Sequence, residues 1–362
     1  MALKCWDGYD HYNSVTDLEQ RSSFIQYQRP NTGTPTFVTG RNGFGKALQF
    51  SSFISGSNHG LYCSYGGFRN PNNFFGMAIK QAQNVGMIFT FFDSITLTPQ
   101  CSAFFNPTNY AVQLYRGQYD PGSGGGTFLG ASLNNVWFPG TWNYFELWPV
   151  INNSTGGIKV YFNNNLVCDL SGLDTQVTAN AWWDQWELTG SDNNQTLTLD
   201  DHYVGDTTIG PGIAPCDSPI GDAKVSTLWA TGDNSVAWSP KTIGQPNYTE
   251  IDEIAMDSDT SYNYTTTPTA RDMFAFQSLP AGVANVFGVQ LCGAYRKDDA
   301  LVRTIQQLVQ SGATVDTSAS THNVPDTTYA YFTDLFILNP DTVLNWTVGE
   351  VNGMAAGYQL VA

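Results

Sequence analysis

Three short acidic phrases are where this sequence could do chemistry. Glu250-Ile251-Asp252-Glu253 sets carboxylates side by side and one apart. Some glycoside hydrolases use such a phrase to hold a nucleophile and an acid on one strand face, roughly 5–5.5 Å apart. That signature needs a further Glu beyond Asp252, and the residues there are Ile254 and Ala255. The phrase therefore reads as a strand with polar groups toward solvent. Asp200-Asp201 and Asp257-Ser258-Asp259 offer the hard oxygen ligands that suit Ca²⁺. Neither carries the rest of a calcium loop, and Asp in a turn commonly caps backbone N–H groups.

The other reactive types are sparse. The four histidines, His11, His59, His202 and His322, form no HxH or HxxxH pair, the spacing a His-based metal site would use. No GxSxG elbow, P-loop or dinucleotide fingerprint occurs. Cys5, Cys63, Cys101, Cys168, Cys216 and Cys292 are far apart, with no CxxC, and read as small buried hydrophobes. No catalytic, cofactor-binding or metal-ligating residue is assigned. No cofactor is expected, Ca²⁺ being the one ion the acidic phrases could take.

Composition narrows the class. Of the 362 residues, 13% are charged, against about 25% in an average soluble protein. Aromatics make up 14% and suit pleated sheets, while Asn and Gly suit turns. With 15 basic residues and a formal net charge of −16, the chain lacks the Lys/Arg footprint that a phosphate backbone requires. Nucleic acid is excluded as a partner on that ground. MALKCWDGYDHY lacks the apolar stretch of a secretory signal. No apolar run approaches the ~20 residues of a membrane span, so no membrane partner is expected.

The elements that must position these residues are strands. One short helix is predicted over 14–25, with Ser14 as N-cap and Asp17 three residues on. Along 142–148, Trp142, Tyr144, Glu146 and Trp148 share one face, and Asn143, Phe145 and Leu147 the other. Trp142, at the strand start, is expected to anchor the core. Ile158–Phe162 and Leu166–Leu170 flank Asn163-Asn164-Asn165 and predict a hairpin around an Asn loop. Residues 195–204 alternate as a further strand, and 121–126, PGSGGG, mark an exposed loop. The Gly/Pro-rich stretch 205–222 reads as a connection. Strands resume at 223–230, 251–256, 272–277, 286–295 and 329–338, and 298–311 leans to strand. The adjacent pairs Phe74-Phe75, Phe91-Phe92 and Phe104-Phe105 should each send one ring inward. The remaining rings, with Trp182, Trp183 and Trp186, are available for a neighbouring subunit or for sugars.

Several of these phrases resemble a known family. FVTGRNGFGKALQF over 37–50 resembles the opening of laminin-G-like, or concanavalin-A-like, jelly rolls in bacteriophage structural proteins. Gly140-Thr141-Trp142-Asn143-Tyr144-Phe145-Glu146 resembles their GxW-xx-xE strand, and Leu199-Asp200-Asp201-His202-Tyr203-Val204 their closing strand. The second half continues the likeness in Gly221-Asp222…Val225, Trp238-Ser-Pro, Tyr248…Glu253, Asp257…Tyr262, Arg296-Lys297-Asp298 and Asn339-Pro340…Trp346. Together these cover nearly the whole chain.

The resemblance implies an all-β protein, a concanavalin-A-like jelly-roll sandwich over 1–207 with an N-terminal arm, followed by a smaller β-rich assembly domain over 208–362. It implies a non-enzymatic structural protein of the virion (tail, collar or capsid surface), partnered by other virion proteins and by copies of itself, a trimer being favoured. The alternative from another class is an adhesin that binds a host surface glycan, with a carbohydrate-active enzyme behind it. Residues 1–13 are expected to act as a docking arm that orders on the particle.

Overall fold

The computed structural model describes residues 2–12, 14–21, 26–28, 35–43, 45–53, 61–64, 69–82, 84–120, 124–190, 195–207, 219–253, 256–325 and 328–362. The chain divides into two compact units. The first takes Met1–Tyr9, Ser14–Glu19 and Phe24–Val225, the second Asp10–Asn13, Gln20–Ser23 and Ser226–Ala362. Both are built from antiparallel strands, and the fold is an all-β jelly-roll sandwich followed by a second β-rich unit. Of the 205–222 stretch, Gly205 and Asp206 end a strand, 208–218 lie outside the described residues, and the change of unit falls after Val225.

The strands of the first unit are β1 (Ala2–Asp7), β2 (Gln26–Gln28), β3 (Thr36–Thr39), β4 (Lys46–Phe53), β5 (Leu61–Ser64), β6 (Asn73–Gln81), β7 (Met87–Asp93), β8 (Thr98–Phe105), β9 (Val112–Asp120), β10 (Gly125–Ala131), β11 (Trp142–Val150), β12 (Gly156–Phe162), β13 (Asn165–Leu173), β14 (Gln185–Gly190) and β15 (Gln195–Asp206). One sheet runs β13-β12-β11-β6-β15-β4-β3, with β1 also paired to β15; the other runs β10-β9-β8-β7-β14-β5-β2. The strand that comes last in sequence, β15, therefore lies in the middle of its sheet, between β6 and β4.

Period-two alternation sends Phe75, Phe145, Phe89, Phe105 and Trp186 between the two sheets. There Phe75 stacks on Trp186 at 5.7 Å and Phe105 meets Phe145 edge-on at 4.6 Å. Both members of each Phe pair are buried, because the outer faces are covered as well. Trp183 and Trp186 are core residues, while Trp182 is half-buried.

Three expectations are corrected here. Residues 2–7 are not an arm: β1 pairs with β15 in the sheet, with Leu3, Cys5 and Asp7 buried. Its alternation is regular in burial, but the buried face ends on a polar Asp7 and the half-buried face carries Trp6. Trp142 is not the core anchor either. It is half-buried on the strand face opposite Phe145 and Leu147, which fill the core. Trp142→Ala is accordingly expected to cost about 1–2 kcal/mol in a denaturation experiment, against the 3–5 typical of a fully buried ring. A loss in the upper range would restore Trp142 as the anchor. Finally, the Asn loop is a two-residue turn: Asn163 and Asn164 have φ of 46° and 69°, the left-handed pair that a tight hairpin requires.

The predicted helix forms as α1 (Val15–Arg21), and 22–25 lie outside the described residues. Its cap is reciprocal: the Asp17 N–H donates to Ser14 Oγ at 3.1 Å and the Ser14 N–H to Asp17 Oδ2 at 3.2 Å. Of the loop at 121–126, 121–123 lie outside the described residues, and Gly125 and Gly126 open β10.

The second unit contains β16 (Ala230–Ser235), β17 (Ser239–Pro240), β18 (Asn263–Tyr264), β19 (Arg271–Phe276), β20 (Val289–Tyr295), β21 (Thr304–Ser311), β22 (Thr314–Thr317), β23 (His322–Asn323), β24 (Ala330–Phe336), α2 (Val348–Gly353) and β25 (Ala355–Leu360). Its main sheet runs β16-β19-β25-β21-β22, with β23 also on β21, so the last strand is again central. Val289, Val309, Phe336, Trp346 and Val351 form its largest core cluster. The expected strands at 223–230 and 251–256 are not formed: 223–229 and 251–253 are irregular, and 254–255 lie outside the described residues. Val343 stands exposed at a left-handed φ of 57°, a conformation costing a β-branched residue roughly 1–2 kcal/mol. Val343→Gly should raise stability by about 0.5–1 kcal/mol. An unchanged or lowered unfolding midpoint would mean the loop itself compensates the strain.

Candidate functional site

Four of the phrases that carried the sequence resemblance meet in one place, the outer face of the sheet containing β6, β11 and β15. Tyr203 on β15 lies opposite Gly76 on β6, and Gly76 lies opposite Glu146 on β11. A Cβ on Gly76 would stand 2.2 Å from the Tyr203 ring, so the bare glycine lets the phenol lie across the strand. The Tyr203 hydroxyl thereby reaches the Glu146 carboxylate and donates to it.

A bulge in β15 adds the rest. The register shifts between Asp200 and Tyr203, and Asp201 adopts φ 48°, which Asp tolerates better than most residues. The extra residue keeps Asp200 and Tyr203 on the outer face and turns His202 into the core. There its ring meets Trp186 edge-on at 5.5 Å.

Arg41, just after β3, is the hub. Its backbone N–H donates to Asp200 at 2.7 Å, and its guanidinium pairs with Asp201 at 2.9 Å, bonds Asp222, and donates to the Ala223 carbonyl at 2.7 Å. The guanidinium lies over the Tyr144 ring, 5.2 Å from its centre. Residues 219–225 run across this face as a strap. The Ile220 N–H donates to the Tyr203 hydroxyl at 3.1 Å, the Gly221 N–H to Glu146 at 2.7 Å, the Asp222 N–H to the Asn164 side chain, and the Val225 N–H to Asp201 at 2.8 Å.

Burial dominates the electrostatics. It pushes Glu146 up from its ordinary value, against the pull of the Tyr203 and Gly221 bonds. It pushes Asp201 up to about 6, against the Arg41 guanidinium. Burial opposes the charge on Arg41 too, but Asp201 and Asp222 outweigh it and hold Arg41 above its usual range. Tyr144 and Tyr203 are driven well above theirs, chiefly by burial. All five side chains are nearly inaccessible, and their polar atoms hold the strap and the bulge.

His202 carries a separate pH prediction. Burial pushes it down to about 3, so it is neutral when folded, whereas the unfolded chain binds its proton near pH 6.5. Stability present above pH 6.5 is therefore lost as pH falls toward 3, by about 1.4 kcal/mol per pH unit in that window. His202→Phe should flatten the fall between pH 6.5 and 4 in urea titrations; an equally steep fall in that variant would assign the loss elsewhere.

The other acidic phrases have local duties. Glu250 is buried and accepts from the N–H groups of Thr242, at 2.9 Å, and Tyr262, at 3.3 Å. Asp252 is exposed, and Glu253 accepts from the Ser261 hydroxyl. The three lie in a short 3₁₀ turn and irregular chain rather than on one strand face. Asp257 accepts from Ser261, and Asp259 pairs with Arg296 at 2.8 Å and accepts from Tyr329. Asp200 accepts from the Arg41 backbone N–H, and Asp201 from its guanidinium. Among the described residues no group of three or more His, Cys, Asp or Glu is placed to hold a metal. Cys5, Cys101 and Cys168 are buried thiols, raised by that burial; Cys216 lies outside the described residues. Sequence reasoning missed the Arg41–Asp201 and Tyr203–Glu146 pairs, although all four residues stood inside the quoted phrases.

On the outer face of the second sheet, Phe104 stacks on Tyr119 at 4.5 Å, Tyr119 on Tyr115 at 4.4 Å, and Tyr115 meets Phe128 at 5.5 Å. Phe104 is buried, Tyr115 and Tyr119 are half-buried, and Phe128 is exposed.

No protein-family model matches the chain, and no curated protein sequence matches it. Among solved structures, part of the chain is similar to an endo-β-1,4-glucuronan lyase from the fungus Trichoderma reesei, at 13% identity and a TM-score of 0.40, over 57% of this chain and 96% of that one. It is also similar to a carbohydrate-binding module from Bacillus subtilis, at 10% identity and a TM-score of 0.33, over 52% of this chain and 99% of that one. The likeness is one of fold alone.

Proposed function

We propose that this protein is a structural component of a bacteriophage particle, acting through protein–protein assembly and not through catalysis. One observation carries the reading. The side chains of the family-like phrases, Arg41, Glu146, Asp200, Asp201, Tyr203 and Asp222, are taken up in bonds to the chain's own backbone and to one another. They serve as fold-holding residues, which is the use a scaffold has for them. Paired exposed aliphatics, Ile95 with Leu97 and Leu301 with Val302, supply contact material of the kind an assembly buries. The glycan alternative would need aromatic faces open to a sugar; in the outer-face row Phe104, Tyr119 and Tyr115 stack on one another and Phe128 alone is exposed.

A trimer remains the favoured assembly, since closed cyclic symmetry lets one patch serve every copy. The test is mass spectrometry of washed particles together with a reconstruction of the virion. The expected result is ordered copies with contacts above about 1,000 Å² each. Absence from washed particles, or isolated copies with slight contacts, would overturn the proposal.

A further inference from the structure

We propose that residues 219–225 form a proton-gated strap, held tighter when Glu146 and Asp201 take up a proton and loosened as they ionise. Beneath the strap lie three buried carboxylates, Glu146, Asp200 and Asp201, and among the described residues one buried guanidinium, Arg41, which also bonds the exposed Asp222 on the strap itself. Lys224, also on the strap, is exposed, and its charge acts on Asp201. The groups facing Glu146 are the Tyr203 phenol from β15, Tyr144 from its own strand, and Asp222 from the strap. Those facing Asp201 are Arg41, Lys224 and Tyr144. None of them besides Arg41 brings a buried positive charge, so the closed strap encloses excess negative charge.

Closure also strips water from both carboxylates, which disfavours their charged forms. Glu146 accepts both the Tyr203 hydroxyl and the Gly221 N–H on Oε1, so a proton taken up on Oε2 leaves both bonds in place. The hydrogen bonds survive while the excess charge falls. When the strap lifts, both groups regain water and bind protons less tightly. By linkage, the closed form is then favoured at lower pH.

The test is hydrogen exchange on the full chain between about pH 4.5 and 7.5, corrected for the intrinsic pH dependence of exchange. The Ile220, Gly221 and Val225 amides are read, with Ile79 and Phe145 in the sheet as folding controls. The opening constant of the strap should rise with pH, by at most about tenfold per pH unit for each proton released. Glu146→Gln, which stays neutral yet can still accept from Gly221, should hold the strap tight with a flatter profile. Strap opening that increases as pH falls, or that does not change with pH, would overturn the proposal, as would a Glu146→Gln profile as steep as that of the parent chain. The acid sensitivity of His202 acts in the opposite direction and cannot imitate the expected trend. Should the variant fail to fold by the control amides, the direction of the parent profile still decides.

Discussion

Arg41→Ala is expected to cost about 3–5 kcal/mol, the loss typical when one partner of a buried ion pair is removed. Asp201 is almost fully buried and would keep only the Val225 amide of its present strong donors. Asp222 and the Ala223 carbonyl would lose their partner in the same step. Arg41→Lys keeps the charge but not the fork that reaches three groups, so it should recover only part of the loss. Urea denaturation followed through the buried tryptophans measures both. A cost below about 1 kcal/mol for the alanine variant would mean that the bulge and strap hold without the guanidinium.

Asp272→Ala is expected to cost roughly 2–5 kcal/mol, the buried Asn247 donor being left short by about 1–3 kcal/mol and the part-buried Ala237 and Trp238 amides, which water can reach, by less. Asp272 is buried on β19. It accepts from the Ala237 N–H at 2.7 Å, the Trp238 N–H at 2.8 Å and the Asn247 side chain at 2.7 Å. These bonds hold the segment carrying Trp238, whose indole N–H reaches the Ala270 carbonyl at 3.0 Å. Exchange of the Ala237 and Trp238 amides should accelerate along with the drop in unfolding midpoint. Unchanged exchange at both amides would show that the segment is held by packing alone. Asp272→Asn keeps one acceptor oxygen and should fall between the two.

Much of this fold was legible because local rules were strong. The Ser14–Asp17 cap, the hairpin at Asn163-Asn164 and the alternation along β11 each follow from neighbours in sequence. The faces of β11 were separated correctly, but which face looks at the other sheet was not. Trp142 is larger than Phe145, and size alone favoured the wrong side. Alternation cannot choose between two faces when both carry aromatics and both are covered. β1 escaped notice because its buried face holds Asp7 and its half-buried face Trp6, so side-chain polarity does not follow burial.

The candidate site was legible as phrases and not as a cluster. Arg41, Glu146, Tyr203 and Asp222 sit in four phrases of the sequence, and the Arg41–Asp222 bond spans 181 positions. Only the strand order β11-β6-β15 brings Glu146 and Tyr203 to either side of Gly76. The bulge at Asp201 was equally hidden, since Asp200-Asp201 reads as a plain acidic pair until one of them turns left-handed. The second unit repeats the lesson. Glu250 was weighed as part of a catalytic phrase, yet its two acceptor bonds go to backbone N–H groups 8 and 12 residues away.

The central position of β15 and β25 bears on how the chain is made. A ribosome that has released everything up to Gly190 has delivered β4 and β6, but nothing yet lies between them, and each keeps an open row of backbone donors and acceptors. The same holds for β19 and β21 until the residues from Ala355 onward emerge. Neither sheet can close progressively during synthesis, and each must wait for its final strand to be inserted. Nascent chains would thus pass through a stage with unpaired apolar strands, when association between neighbours on one message competes with folding.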